Sequence, residues 1–403
     1  MSGSTATSVV DADTSPDPDI DIPFFSQAES FRRHWPTIRA NLEQVMDNGK
    51  FSHGGQVAEF ETALAQYTGA RFAVGVNSGT DALVLLLTAC GLRPGEPVLV
   101  PAYSFVASAS SVVLAGGVPR FVDIDPATYA MDPAALAASV TDECRFVMPV
   151  HLFHRMADLT AIGEVARRHG LTVVEDSAEA IGMSSGGRHA GLHGAGGVLS
   201  FFPSKTLGAI GDAGAVLTDD PEIAGRVAGL RHHGRLGRTM DHFPGISCET
   251  ELVGVNSKMD DFQAAVLRAK LGTLDADIDR RAALAAAYRD RLLGAPGVLA
   301  LPRPPDPGGR ERGVWYVYLV EVEHRDALAA FLAAQGIGTE TYYPVPLHLQ
   351  PCFAELGCLP GDFPHAEAAS TRALALPLYP DLTLAQVDRV CDAVRSFRGA
   401  AGR

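Results

Sequence analysis

The sequence predicts an α/β protein in two parts, a large domain built on a mostly parallel sheet and then a smaller α+β domain. Three observations carry that expectation. The chain has 403 residues, 47% of them hydrophobic, too many for one ordinary core and enough to fill two. From about Phe51 helical and strand patterns alternate, as they do where helices cover a parallel sheet. A Pro/Gly-rich connector, Pro302 to Gly309, then breaks the pattern before a strand and helix open again. The expected boundaries are a tail over 1–21, a large domain over 22–275 and a small C-terminal domain over 276–403.

The elements follow in order. Residues 1–21 are rich in Ser, Thr, Asp and Pro with little to bury, which predicts a mobile tail. Val74-Gly75-Val76 reads as a strand running through Asn77-Ser78-Gly79 into a helix whose apolar face carries Ala82, Leu83, Leu86 and Leu87. Strands are expected at Val98-Leu99-Val100, Phe121-Val122-Asp123-Ile124 and Phe146-Val147-Met148-Pro149-Val150. Asp158 can cap a helix from Leu159 to His169 and Gly170 can end it, so Leu171 to Glu175 re-enters the sheet. Gly197 to Phe202 and Ala213 to Thr218 are further strands, and an Ala/Arg-rich helix from about Asp275 to Leu293 bridges the domains. Trp315 to Val320 opens the small domain.

Composition narrows the partners. A net charge of −14 and a pI near 5.3 repel phosphate polymers and anionic membranes, so neither nucleic acid nor membrane is expected as a partner. Six scattered cysteines without a CxxC pair, no signal-peptide pattern and no apolar run near the roughly 20 residues that span a bilayer predict a cytoplasmic protein. His151 with His154, and His232 with His233, lack further ligands at zinc spacing, so no metal is expected.

Two strand-end residues stand out. Asp176 closes Val173-Val174-Glu175-Asp176, where open α/β sheets bind ligands, and Lys205 follows the strand Gly197 to Phe202 in Ser200-Phe201-Phe202-Pro203-Ser204-Lys205. An acid and an amine so placed suggest the two poles of a pyridoxal phosphate site, the acid for the ring nitrogen and the amine for a Schiff base. A lysine in that role needs a depressed pKa, from an apolar pocket or a nearby cation. Gly79 and Thr80 open a helix whose amides can receive the phosphate, Ser204 can add a hydroxyl, and Phe105 can stack on the ring. Each has an ordinary alternative: a strand-end Asp caps turns, Ser78 or Thr80 caps the helix, and Phe105 packs a core.

The ordered set Asn77 to Leu83, Val174-Glu175-Asp176-Ser177-Ala178-Glu179, the lysine run, Val255-Asn256-Ser257-Lys258-Met259-Asp260-Asp261-Phe262-Gln263, Tyr343-Pro344-Val345-Pro346-Leu347-His348 and Leu376-Pro377-Leu378-Tyr379-Pro380 resembles the DegT/StrS family of nucleotide-sugar aminotransferases. The resemblance runs from about Ile22 to the C-terminus. It implies a fold-type-I aminotransferase with a mostly parallel seven-stranded sheet, working as a homodimer with active sites at the subunit interface. It gives Lys205 the Schiff-base role, Asp176 the ring nitrogen, Phe105 the ring face, and Gly79, Thr80 and Ser204 the phosphate. Asn256 matches a residue reaching the phosphate from the neighbouring subunit, and His348 one near the substrate.

Three positions depart from the family pattern. Glu179 stands beside the cofactor ring where Gln or His is usual, Lys258 replaces a common Arg, and His154 replaces a Gly; the last two bear on substrate binding. The implied reaction moves an amino group from glutamate or glutamine to a nucleotide-linked keto-sugar in deoxyamino-sugar and antibiotic biosynthesis. Pro203-Ser204-Lys205 followed by Leu207-Gly208-Ala209-Ile210-Gly211-Asp212 leans to amination at C3, and thymidine diphosphate is the expected carrier. A 4-keto-sugar or a cyclitol ketone is the alternative substrate, and a regulatory protein on the same scaffold the non-enzymatic one. Dehydrating relatives carry His in place of the lysine, which Lys205 argues against.

Overall fold

The computed structural model describes residues 21–52, 54–235, 250–305 and 310–399. The expected tail, apart from Asp21, and the end of the connector lie outside the described residues. Two helices come first, α1 (Ala28–Asn48) and α2 (Gly55–Thr68). Strand–helix units follow: β1 (Phe72–Val76) with α3 (Gly79–Ala89), β2 (Pro97–Pro101) with α4 (Ala107–Leu114), β3 (Val118–Val122) with α5 (Pro133–Ser139), and β4 (Phe146–Val147) with α6 (Leu159–His169). After β5 (Thr172–Asp176) a small hairpin, β6 (Ser184–Ser185) and β7 (Arg188–His189), precedes β8 (Gly196–Ser200) and β9 (Gly214–Thr218). Helices α7 (Pro221–Leu230), α8 (Asp261–Leu271) and α9 (Leu274–Leu292) lead to β10 (Val298–Ala300), β11 (Glu311–Arg312), β12 (Tyr318–Val322), α10 (Arg325–Ala333), α11 (Pro364–Arg372), β13 (Ala373–Leu376) and α12 (Leu384–Ser396).

The main sheet has seven strands in the order β1-β9-β8-β5-β4-β2-β3. The run from β8 to β3 is parallel, and β9 is antiparallel to both β1 and β8. Alternation along each strand separates two cores: Val74, Val98, Val100, Val198 and Val216 pack on one face, while Ala73, Leu199 and Leu217, with Leu99 and Val147, pack on the other. Both faces are covered, which is why the strands read as apolar runs. The strand expected over Phe146 to Val150 is shorter, because Pro149 has no N–H for the ladder, though its carbonyl still accepts Asp176 N–H at 3.0 Å. Helix α6 is as expected: Asp158 accepts Ala161 N–H at 3.0 Å and Gly170 ends it at φ 64°.

A second sheet, β10-β12-β13, supports the smaller region. Helix α9 joins the two: Leu274 and Ile278 belong to a core of the main sheet, whereas Leu284, Tyr288 and Leu292 belong to the core with β12, β13 and α12. Ile22, expected in the large domain, bridges to Ile337 and packs in the smaller core.

Candidate active site

Strands β5 and β8 are neighbours, with Asp176 opposite Val198, so the carboxyl end of β5 and the turn after β8 open on the same space. A cavity of about 550 Å³ lies there, lined by Asp176, Glu179, Ser204 and Lys205, by Ser78, Gly79 and Thr80 at the start of α3, and by Phe105, Phe202, Tyr316, Tyr342 and Tyr343.

Asp176 is buried. Its Oδ2 accepts Ser108 Oγ–H at 2.6 Å and its Oδ1 accepts Ala178 N–H at 3.2 Å, while Ser104 Oγ lies 2.7 Å from Ser108 Oγ. Two hydrogen bonds on the carboxylate fix its orientation. Glu175, on the opposite side of the strand, takes His151 Nε2–H at 2.9 Å and the amides of Gly191, His193 and Gly194 at 2.6–2.8 Å. Burial alone would raise the Glu175 carboxyl, and His151 with the Gly191 amide outweighs it to leave the group below its ordinary value.

Helix α3 presents the amides of Gly79 and Thr80 at its positive end, and Ser78 Oγ accepts Asp81 N–H at 3.1 Å. Glycine is required where this turn meets the sheet: a Cβ on Gly79 would come within 2.8 Å of Ser200 Cβ, and one on Gly214 within 2.5 Å of Ser78 backbone.

Lys205 is held by a turn in which its N–H donates to Phe202 O at 2.8 Å and Ala209 N–H to Phe201 O at 2.9 Å. Its Nζ donates to Glu179 Oε1 at 3.2 Å and sits 4.5 Å from the Tyr316 ring centroid. Glu179 is itself buried, accepting Phe153 N–H at 3.0 Å and Tyr343 Oη–H at 3.4 Å. The depressed lysine expected from an apolar pocket is not found. Burial pushes Lys205 down, but the Glu179 carboxylate and Tyr316 outweigh it and hold the ammonium above its ordinary range.

Of the residues singled out in sequence, the cavity therefore gathers Asp176, Glu179, Gly79, Thr80, Phe105, Ser204 and Lys205. Phe105 is 57% exposed at its mouth, with its ring centroid 6.2 Å from that of Tyr343, so it is not the core aromatic of the alternative reading. Ser204 Oγ lies 3.3 Å from Tyr316 Oη. Asn256 and Lys258 do not line this cavity; Lys258 Nζ donates to Asn256 Oδ1 on the protein surface. His348 is turned inward, its ring centroid 4.6 Å from Phe363 and its Nε2 3.1 Å from Glu367. His154 stacks on Trp315 at 4.4 Å with its Nε2 2.7 Å from Arg303 O. Neither histidine lines the cavity, because aromatic packing and a protein acceptor already claim both rings.

Sequence reasoning missed Ser108 and the tyrosines 316, 342 and 343. The Tyr342-Tyr343-Pro344 run was the available signal for the last two, since adjacent aromatics before a proline in a loop seldom serve a regular element. Ser108 had none, because only the sheet order brings the start of α4 beside β5. Among the described residues no His, Cys, Asp and Glu cluster suits a metal ion, and no helix is long and apolar enough to cross a membrane.

An acid, a buried amine and a cradle of helix amides in one cavity can hold an aromatic aldehyde phosphate and work on an amine. The model of the DegT/DnrJ/EryC1/StrS aminotransferase family matches residues 35–395. The chain is 39% identical over 376 residues to the dTDP-3-amino-3,4,6-trideoxy-alpha-D-glucose transaminase of Streptomyces venezuelae, covering 93% of this chain and 96% of that protein. It is also 39% identical over 378 residues to a protein of Geobacillus stearothermophilus named pleiotropic regulatory protein, covering 94% and 99%. The crystal structure of S. venezuelae DesV in complex with a ketimine intermediate superposes with a TM-score of 0.87 at 39% identity, covering 93% of this chain and 97% of that one.

Proposed function

Since the chain belongs to the DegT/DnrJ/EryC1/StrS aminotransferase family and is thus a pyridoxal phosphate-dependent transaminase, we propose that it aminates C3 of a nucleotide-linked keto-deoxysugar, with glutamate or glutamine as donor. The convergence of Lys205, Asp176 and the α3 amides in one cavity carries the reading. These residues fit the cofactor: Asp176 would meet the ring nitrogen, the Gly79 and Thr80 amides with Ser204 would hold the phosphate, and Phe105 would cover the ring. Once bound, pyridoxal phosphate supplies an electron sink for a carbanion at the amine-bearing carbon.

The protein does the rest. In the loaded protein Lys205 Nζ would be the base that takes the proton from the donor's α-carbon and the acid that delivers one to the sugar carbon in the second half of the cycle. Ser108 keeps Asp176 oriented. Tyr316, Tyr342 and Tyr343 wall the cavity and exclude bulk water.

Asn256 and Lys258 are assigned to the site of a neighbouring subunit in a homodimer. Their absence from their own cavity and the exposed apolar Val253 and Val255 beside them, 97% and 47% accessible, support this. The C3 position and a thymidine diphosphate carrier rest on the Streptomyces relative's name and the Pro203-Ser204-Lys205 run. A regulatory role is the second reading, favoured by the name of the Geobacillus relative.

The test is a reverse-direction screen: purified protein, pyridoxal phosphate and 2-oxoglutarate are offered dTDP-linked 3-amino and 4-amino sugars and amino cyclitols, and glutamate is measured. Glutamate from a 3-amino sugar is expected. Glutamate only from a 4-amino sugar or a cyclitol moves the substrate, and none from any of them favours the regulatory reading.

A further inference from the structure

The Glu179 carboxylate is built into its place. Phe153, whose N–H it accepts at 3.0 Å, is fully buried and holds φ at 66°, a left-handed conformation that a bulky side chain adopts only under strain. The fold therefore bends its backbone to aim a donor at one Glu179 oxygen. The other oxygen takes Lys205 Nζ at 3.2 Å and Tyr343 Oη–H at 3.4 Å. A carboxylate clamped in this way keeps its side chain beside Nζ and cannot swing off to solvent.

From this geometry we infer that Glu179 is a holding partner for the free amine of Lys205, so that capture of the cofactor aldehyde begins only when that ion pair gives up a proton. The inference rests on the reading of the cavity as a pyridoxal phosphate site and adds a control on its loading. In the step itself, Lys205 Nζ releases its extra proton to solvent, adds to the aldehyde carbon, and the aldehyde oxygen leaves as water; nothing is oxidised or reduced.

The charged and titratable groups facing Nζ are Glu179 and Asp176 from β5 and the turn after it, and Tyr316 from the segment before β12, with Tyr342, Tyr343, His151, Asp212 and Glu340 also lining the cavity. Burial opposes the ammonium and the Glu179 charge favours it, with smaller support from Tyr316 and Asp176. Removing the Glu179 charge takes away the largest influence that favours the ammonium and leaves burial opposing it. Glu179 is thus a positioning residue for Lys205, and its signature is a pH profile.

The experiment is stopped-flow absorbance of apoprotein mixed with pyridoxal phosphate across pH, for wild type, Glu179→Gln and Glu179→Asp. For wild type the loading rate should climb about tenfold per pH unit through neutrality with no plateau below about pH 9. Glu179→Gln should load roughly tenfold or more faster near pH 7.5, its plateau moved to lower pH, and Glu179→Asp should stay close to wild type. A wild-type plateau below about pH 9 overturns the inference without any variant, as does a Glu179→Gln profile unmoved from wild type. Protein that never binds the cofactor defeats the reading of the site itself, whereas protein that loads on an unmoved profile defeats only the role of Glu179.

Discussion

Ser108 Oγ lies 2.6 Å from Asp176 Oδ2 and donates to it from the first turn of α4, tying one strand–helix unit to the acid at the end of another. A hydrogen bond to a charged group is worth about 1.5–3 kcal/mol. Ser108→Ala should weaken cofactor retention roughly tenfold or more, read by titrating apoprotein with pyridoxal phosphate. Unfolding free energy of the apoprotein should fall by about 1–3 kcal/mol as well, because the buried carboxylate loses a donor.

His154 should affect acid stability rather than substrate affinity. Burial pushes its imidazole down from 6.5 to about 4, so between those values the unfolded chain binds the proton and the folded chain does not. Stability contributed by the neutral ring is present above about pH 6.5 and is lost as pH falls toward 4. His154→Gln should therefore destabilise slightly at pH 7 through loss of the Trp315 stack, and become more stable than wild type near pH 4, a relative change of about 3 kcal/mol. Urea unfolding at several pH values checks this, and an unchanged sugar KM would confirm that the ring makes no substrate contact.

Glu175 is expected to be among the costliest single changes near the site. Its carboxylate serves four donors in a buried space, and an amide in its place would aim N–H at N–H. Glu175→Gln should lose roughly 3–5 kcal/mol in denaturant unfolding. Because the folded value is lowered, the stability Glu175 adds is full above the ordinary carboxylate range and is lost as pH falls through the folded value, so the variant should also show a flatter acid limb.

The proposed homodimer with shared active sites can be tested by complementation. In that arrangement Lys205→Ala and Asn256→Ala should each inactivate both sites of their own homodimer, while a mixed dimer should retain one intact site. Refolding the two variants together should restore about a quarter of wild-type activity, the share set by random pairing of a symmetric dimer. No recovery despite demonstrated mixing would place Asn256 in its own subunit's site.

Much of this was legible in the chain. Alternating apolar runs gave the strands, Asp158 and Gly170 gave the bounds of α6, and the strand-end positions of Asp176 and Lys205 gave the two poles of the site. What could not be read were relations set by sheet order and side-chain burial. Ser108 is 68 residues from Asp176, and nothing local marks it. His154 and His348 look like ligand-facing polar residues in sequence, yet stacking on Trp315 and edge-to-face packing on Phe363 turn them inward. The carboxylate beside Lys205 also escaped: its role as a Schiff-base amine called for a depressed pKa, and the Glu179 carboxylate at 3.2 Å pushes the group the other way.

The most direct test of the central claim, that Lys205 carries the cofactor and releases it to an amino donor, is borohydride reduction of the pyridoxal phosphate-loaded protein followed by peptide mass mapping, with and without prior glutamate. A phosphopyridoxyl label on Lys205 that disappears after glutamate treatment is the expected result. A label on another lysine, or one on Lys205 that no amino donor removes, would contradict it.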